Sequence, residues 1–300
     1  MDEIHAPARN TENLPASGAC PFYLSPGTMR RLDNRVAHGL NKRIMTAIDK
    51  NKIRSAFDRA ANTYDAIATF QHRVCERLAE HFPATLAPQH ILDGGCGTGY
   101  GASLLQRRWP SAEIVACDLA PEMVRKTQER GIHALCGDLE HLPFSDARFD
   151  FIWSSLALQW CDPAQAYAEL FRVLAPGGML ACTTLTTGTL HELDTAFSGI
   201  DAHQRLLDFH PVQQTREAFY KAGFTDIRII PETFITLHHD FRSMLETIRG
   251  IGAGHSGQNR RRALMGKDAW KTVQARFETM RTPEGMLPNT YEVLFVFAKK

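Results

Sequence analysis

The chain has 300 residues, 44% of them hydrophobic, and a formal net charge of +1. That size and apolar content bury a full core without disulfides or structural metals, and the near balance of acids and bases excludes a dedicated nucleic-acid binder while allowing a local basic patch. Seven cysteines without a C-x-x-C pair fit a reducing compartment, and with no leader pattern and no apolar stretch long enough to span a bilayer a cytoplasmic protein is expected.

Residues 1–51 are rich in Pro, Ser, Asn and Arg and read as a flexible extension. From 52 to 82 the spacing of Ile53, Phe57, Ala60, Ala61 and Tyr64, then Phe70, Val74, Leu78 and Phe82, predicts two helices that cap the first strand. Ile91-Leu92-Asp93 is a short strand ending in an acid. A glycine-dense turn, Gly94 to Gly101, follows it, and behind that a helix is expected at 102–108. Strands and helices then alternate: strand 112–117 ending at Asp118, helix 121–130, strand His133–Cys136, strand Phe149–Ser155, helix 164–173 stopped by Pro176-Gly177-Gly178, and strand 179–184. Strands apolar on both faces and separated by helices imply a parallel sheet covered on both sides. Further on come helix 213–221, a strand at 227–230 and a final strand at 291–298. The intervening insertion, 231–288, carries two helices (241–249 and 269–280) and reads as a lid.

Ligands of such sheets sit beyond the carboxyl ends of the strands, where the strand order reverses. Glycines let the backbone lie against a ligand, and a helix start offers unpaired N–H groups, so a nucleotide-like ligand is the first expectation. Gly97, Gly99 and Ala102 alone also satisfy a dinucleotide fingerprint. Asp118, about nineteen residues past Gly99, is placed to accept from two ribose hydroxyls or to cap the helix that starts near Pro121. Asp93 separates the candidate ligands: an acid before the glycines repels a pyrophosphate and suits a ligand with a cationic centre such as S-adenosylmethionine, unless it only pins turn amides. Asp138 is an acceptor for an adenine amino group or a turn former after Gly137, with Leu119, Met123 and Leu139 as apolar neighbours of the ring. The segment after the fourth strand, including Ser155 and Leu156, closes the site, and Trp160 reads as packing.

The set Asp93-x-Gly95-x-Gly97-x-Gly99, Asp118, Asp138-Leu139 and Pro176-Gly177-Gly178 resembles the class I S-adenosylmethionine-dependent methyltransferases over residues 91–300. The resemblance implies an α/β, Rossmann-like fold: a seven-stranded, mostly parallel sheet with helices on both faces and an antiparallel last strand, here with an N-terminal helical cap and a helical lid inserted before that strand. Arg54-Ser55-Ala56-Phe57-Asp58-Arg59-Ala60-Ala61, Tyr64-Asp65, Gln71, Ser155 to Trp160, Ile251-Gly252-Ala253 and the C-terminal Tyr291 to Lys300 are together similar, more narrowly, to the malonyl-acyl-carrier-protein O-methyltransferases of biotin synthesis. That likeness implies methyl transfer from S-adenosylmethionine, without a metal, to the free carboxylate of a malonyl group on acyl carrier protein.

A carboxylate acceptor is already ionised at neutral pH, so no catalytic acid or base is required. An anion holder is, and Arg249, Tyr64 and His255 are the candidates; their plainer roles are a helix-end cation, a core aromatic and a solvated loop residue. Arg260-Arg261-Arg262 is a dock for the acidic carrier protein or a solvated helix face. Methylation of a quinone precursor or a free small acid, an NAD-dependent oxidoreductase, and a non-catalytic nucleotide-binding protein are the alternatives.

Overall fold

The computed structural model describes residues 49–200, 207, 209–250 and 266–300. The described chain opens with helix α1 (Lys50–Ala60), two residues inside the stretch expected to be a flexible extension; Asp49 is its N-cap and accepts from Lys52 N. The cap holds three helices, not two, because the chain breaks after Ala61 and restarts as α2 (Tyr64–Ile67) and α3 (Thr69–Glu80). Then follow β1 (His90–Gly94), α4 (Tyr100–Arg108), β2 (Glu113–Asp118), α5 (Pro121–Glu129), β3 (His133–Cys136), β4 (Phe149–Ser155), a single 3-10 turn at Leu158–Trp160, α6 (Pro163–Val173) and β5 (Leu174–Leu185). The remainder is α7 (His191–Phe197), α8 (Val212–Lys221), β6 (Thr225–His238), α9 (Phe241–Gly250), α10 (Lys267–Glu278) and β7 (Leu287–Lys299).

The strands form one sheet in the order β3-β2-β1-β4-β5-β7-β6. All neighbours are parallel except β7, which runs antiparallel to both β5 and β6. This is the Rossmann-like seven-stranded sheet expected from the sequence. The order reverses between β1 and β4, which opens a cleft at their carboxyl ends. Alternation along β7 explains why both faces are covered: Val293, Phe295 and Phe297 join the core under α3, α7, α9 and α10, while Leu294, Val296 and Ala298 join the core under α6 and α8.

β5, β6 and α7 differ from expectation, each for a local reason. Leu174 already pairs with Phe149, so Pro176-Gly177-Gly178 is an irregularity inside β5 instead of its prelude. β6 continues through Pro231 to His238, paired with β7 back to Leu287, so the ends of the 231–288 insertion are a strand ribbon. As the sheet's edge, β6 tolerates a proline and leaves Ile235 and Leu237 half exposed, which blurs the apolar alternation a central strand would show. Helix α7, at seven residues, is too short for a periodic signal. No helix among the described residues is long and apolar enough to cross a membrane.

The helices of the insertion belong to the main core. Phe241, Met244, Ile248, Val273 and Phe277 share a buried cluster with Phe70, Phe234 and Tyr291, and the Phe241 and Phe277 rings lie 5.0 Å apart. Phe277→Ala should therefore cost about 3–5 kcal/mol and lower the midpoint of a single thermal transition followed by circular dichroism. A separate, earlier transition would show instead that these helices fold apart from the sheet.

Candidate functional site

The turn after β1 is held by the end of β2. Gly95 N and Cys96 N donate to Cys117 O at 2.7 and 3.1 Å, and Gly97 N donates to Asp118 Oδ2 at 2.8 Å. With these bonds made, Gly95 and Gly97 take φ of 74° and 55°, the left-handed region that favours glycine. A Cβ on Gly95 would lie 2.2 Å from the Ala157 methyl, whereas one on Gly97 would meet no protein atom within 4 Å. Gly97 thus presents bare backbone to open space. Gly99, at the N-cap of α4, packs on Thr127 and braces the turn from behind.

Beyond the turn, past the carboxyl ends of β1, β2 and β4, lies a cleft. Of the residues expected from the sequence, Gly95, Gly97, Asp118, Leu119, Asp138 and Leu139 line it, as do Tyr64, Ser155 and Leu156. Asp118 Oδ1 accepts from Ala120 N at 2.9 Å while Oδ2 takes Gly97 N, so it serves the turn and the start of α5 together. A carboxylate has about four acceptor sites, leaving room for a vicinal diol. Burial raises its pKa, against the pull of the Ala120 and Gly97 amides. Leu156 stands at φ 51°, a strained conformation for a branched residue, with its N–H on Thr183 Oγ1 at 3.0 Å; the Thr183 hydroxyl also meets Ser155 Oγ at 3.1 Å. The Tyr64 hydroxyl is kept neutral because burial, then Cys75, Asp118 and Asp65, push its pKa up.

Asp93, Gly99 and Met123 do not line the cleft. Met123 is fully buried and packs with Ala60, Ala61 and Ala120 where α1 crosses α5. Asp93 is buried behind the glycine turn, and among the described residues its Oδ2 has no hydrogen-bond partner. Burial, with Asp118 nearby, pushes its pKa up to about 7, although the Ala102 amide works the other way.

Other parts of the site were not anticipated. Lys50, Ile53 and Phe57, one face of α1, line the cleft, and Trp160, expected to be packing, lines it while meeting Phe57 edge-on at 5.8 Å between centroids. The spacing i, i+3, i+7 was the available signal for α1. Arg249 is the penultimate residue of α9, and His255, Arg260, Arg261 and Arg262 lie outside the described residues.

Two outcomes follow from this geometry. Gly95→Ala should both destabilise the fold and abolish ligand binding, because the Ala157 methyl has nowhere to go. Gly97→Ala should cost only about 1 kcal/mol of stability yet still obstruct S-adenosylhomocysteine, a contrast readable by thermal melts and calorimetry.

For Asp93, the folded chain keeps a proton up to about pH 7 that the unfolded chain releases near the ordinary 3.8. Its contribution to stability is therefore complete below 3.8 and is lost as pH rises toward about 7. The α-ammonium of S-adenosylhomocysteine, if it comes near Asp93, favours the carboxylate form, so affinity should climb by up to about tenfold per pH unit below neutrality and level off above it. Asp93→Asn should flatten both pH profiles; unchanged profiles would show that another group titrates.

The chain is similar to known proteins along most of its length. Residues 92–182 match a family model described as a methyltransferase domain. The chain is similar to the malonyl-[acyl-carrier protein] O-methyltransferase of Herminiimonas arsenicoxydans, with 52% identity over 85% of this chain and 98% of that protein. It is also similar to the same-named protein of Dechloromonas aromatica, at 44% identity over 85% and 96%. Among solved structures, the YcgJ protein from Bacillus shares the fold at a TM-score of 0.55 with 18% identity, over 76% of this chain and 98% of that one. On its near-complete coverage of these relatives, the chain belongs to the malonyl-[acyl-carrier protein] O-methyltransferase family of S-adenosylmethionine-dependent methyltransferases.

Proposed function

We propose that this chain methylates the free carboxylate of a malonyl thioester carried by acyl carrier protein, giving a malonyl methyl ester that enters pimeloyl and biotin synthesis. The observation that carries the reading is the 52% identity to a relative of that name across 98% of its length. The cleft fits the methyl donor: Asp118 retains lone pairs for a ribose diol, Gly97 offers bare backbone, and Asp93, buried behind the turn with Oδ2 unpartnered among the described residues, is a group whose carboxylate form a nearby cationic centre would favour.

When bound, S-adenosylmethionine supplies a methyl group on a sulfonium, which the malonyl carboxylate takes in line. The chain's own contribution is to bind, orient and exclude water. Asp118 holds the sugar, and Asp138, with Leu119 and Leu139 against the ring, selects adenine. Asp93 acts at short range through the turn, because it lies behind the glycines and not on the cleft wall. Tyr64, a neutral hydroxyl on that wall, donates to the acceptor carboxylate, with Arg249 and His255 as the further candidates to hold it. Arg260, Arg261 and Arg262 dock the acidic carrier protein.

The test is methyl transfer from labelled S-adenosylmethionine to malonyl-acyl carrier protein, a short malonyl thioester, free diacids and quinols. Transfer to malonyl thioesters alone is expected, whereas methylation of a quinol or a free diacid in their place would overturn the reading. Charge reversal of the three arginines should raise KM for the carrier-bound substrate several-fold and leave the short thioester unchanged. Equal effects on both would remove the docking role.

A further inference from the structure

The acid expected to read adenine is not held by its own loop alone. Lys50, the first residue of α1, places its ammonium 3.0 Å from Asp138 Oδ1, 2.7 Å from Glu140 Oε1 and 3.6 Å from the Cys161 sulfur. The three charged side chains are between 11% and 25% exposed, so solvent screens them little. Asp138 Oδ1 also accepts from Glu140 N at 3.0 Å, and Glu140 Oε1 from Asp162 N at 2.7 Å. One cation therefore ties α1 to the turn after β3 and to the start of α6. Both contacts to Asp138 fall on the same oxygen, and among the described residues no hydrogen bond is made to Oδ2.

The geometry has two consequences. First, a carboxylate with Oδ1 fixed from two directions cannot rotate freely, and its other oxygen is left to accept an amino N–H. Without the ammonium, two acids would stand side by side at the end of the cleft with no counter-charge, which disfavours the ordered arrangement. Second, the same bond clamps the N-terminal end of α1. Farther along the helix, Asp58 Oδ1 accepts from Glu122 N at 3.0 Å, and between the two clamps Ile53 and Phe57 wall the cleft.

We infer that Lys50 is a positioning residue for recognition of the adenine base: it orients Asp138 so that one carboxylate oxygen meets the 6-amino group, and it seats α1 as the wall on that side. This rests on the reading of Asp138 as the adenine acceptor. Because Lys50 touches Asp138 and not the reacting atoms, its effect belongs to the choice of base and not to the methyl-transfer step.

The experiment compares, by calorimetry, S-adenosylhomocysteine with S-inosylhomocysteine, in which an oxygen replaces the 6-amino group. It uses the full chain, the variants Lys50→Met and Lys50→Arg, and Lys50→Ala, which keeps a strong helix former should the methionine variant not fold. The wild-type chain should prefer the amino ligand by about tenfold or more, the scale of a charge-assisted hydrogen bond. Lys50→Met and Lys50→Ala should weaken S-adenosylhomocysteine and bring the two ligands to near-equal affinity, and Lys50→Arg should recover a preference. A preference that survives in Lys50→Met or Lys50→Ala, or an equal loss for both ligands, would overturn the role of Lys50 while leaving Asp138 as the adenine acceptor. No preference in the wild-type chain would instead overturn the reading of Asp138, and the proposal with it.

Discussion

The site depends on how the end of β2 satisfies the backbone leaving β1. When β1 ends at Gly94, the next amides lose their strand partners, and an unpaired buried N–H is costly. Cys117 O takes the amides of Gly95 and Cys96, and the Asp118 carboxylate takes that of Gly97. This arrangement forces positive φ at the glycines and draws the chain tightly past Ala157. One carboxylate thereby shapes the turn and stays available to a ligand, so the glycine pattern and Asp118 work as one device.

The same tightness explains Asp93. Packing the start of α4 over the turn leaves the acid with the Ala102 amide and, among the described residues, no cation. Such a charge weakens the ligand-free fold and is relieved when positive charge arrives. A pyrophosphate would aggravate the same charge, which is the physical ground for separating a methyl donor from a dinucleotide.

Much of this was readable from the chain. β1 to β4 are short, apolar on both faces and punctuated by Asp and Gly, so their positions and the acids at their ends follow from pattern alone. What pattern could not supply was partnership over distance. Lys50 is separated by 88 residues from the acid it holds, and it sits where composition changes from loop-like to helical. Met123, apolar and one turn past Asp118, resembled a ring contact, but α1 lies across α5 and takes Met123 into its own interface. β6 is an edge strand whose outer face meets solvent, so its length is set by pairing with β7 and not by its own alternation.

The sheet also divides the labour of its two coverings. α1 packs on α5 and walls the cleft near Asp138 and Trp160. α9 and α10 pack with Phe70, Phe234 and Tyr291 around the β6–β7 ribbon, at the other side of the sheet order from β2 and β3. Between them stands Tyr64, on a four-residue helix whose next residue, Asp65, accepts from Thr98 Oγ1 of the glycine turn at 2.5 Å and pairs with Arg130. A short helix tied so directly to the turn cannot shift without moving the backbone that faces the ligand. That linkage sets Tyr64 by the same hydrogen-bonded frame that sets Gly97, so the glycine turn and the cleft wall beside it share one set of bonds.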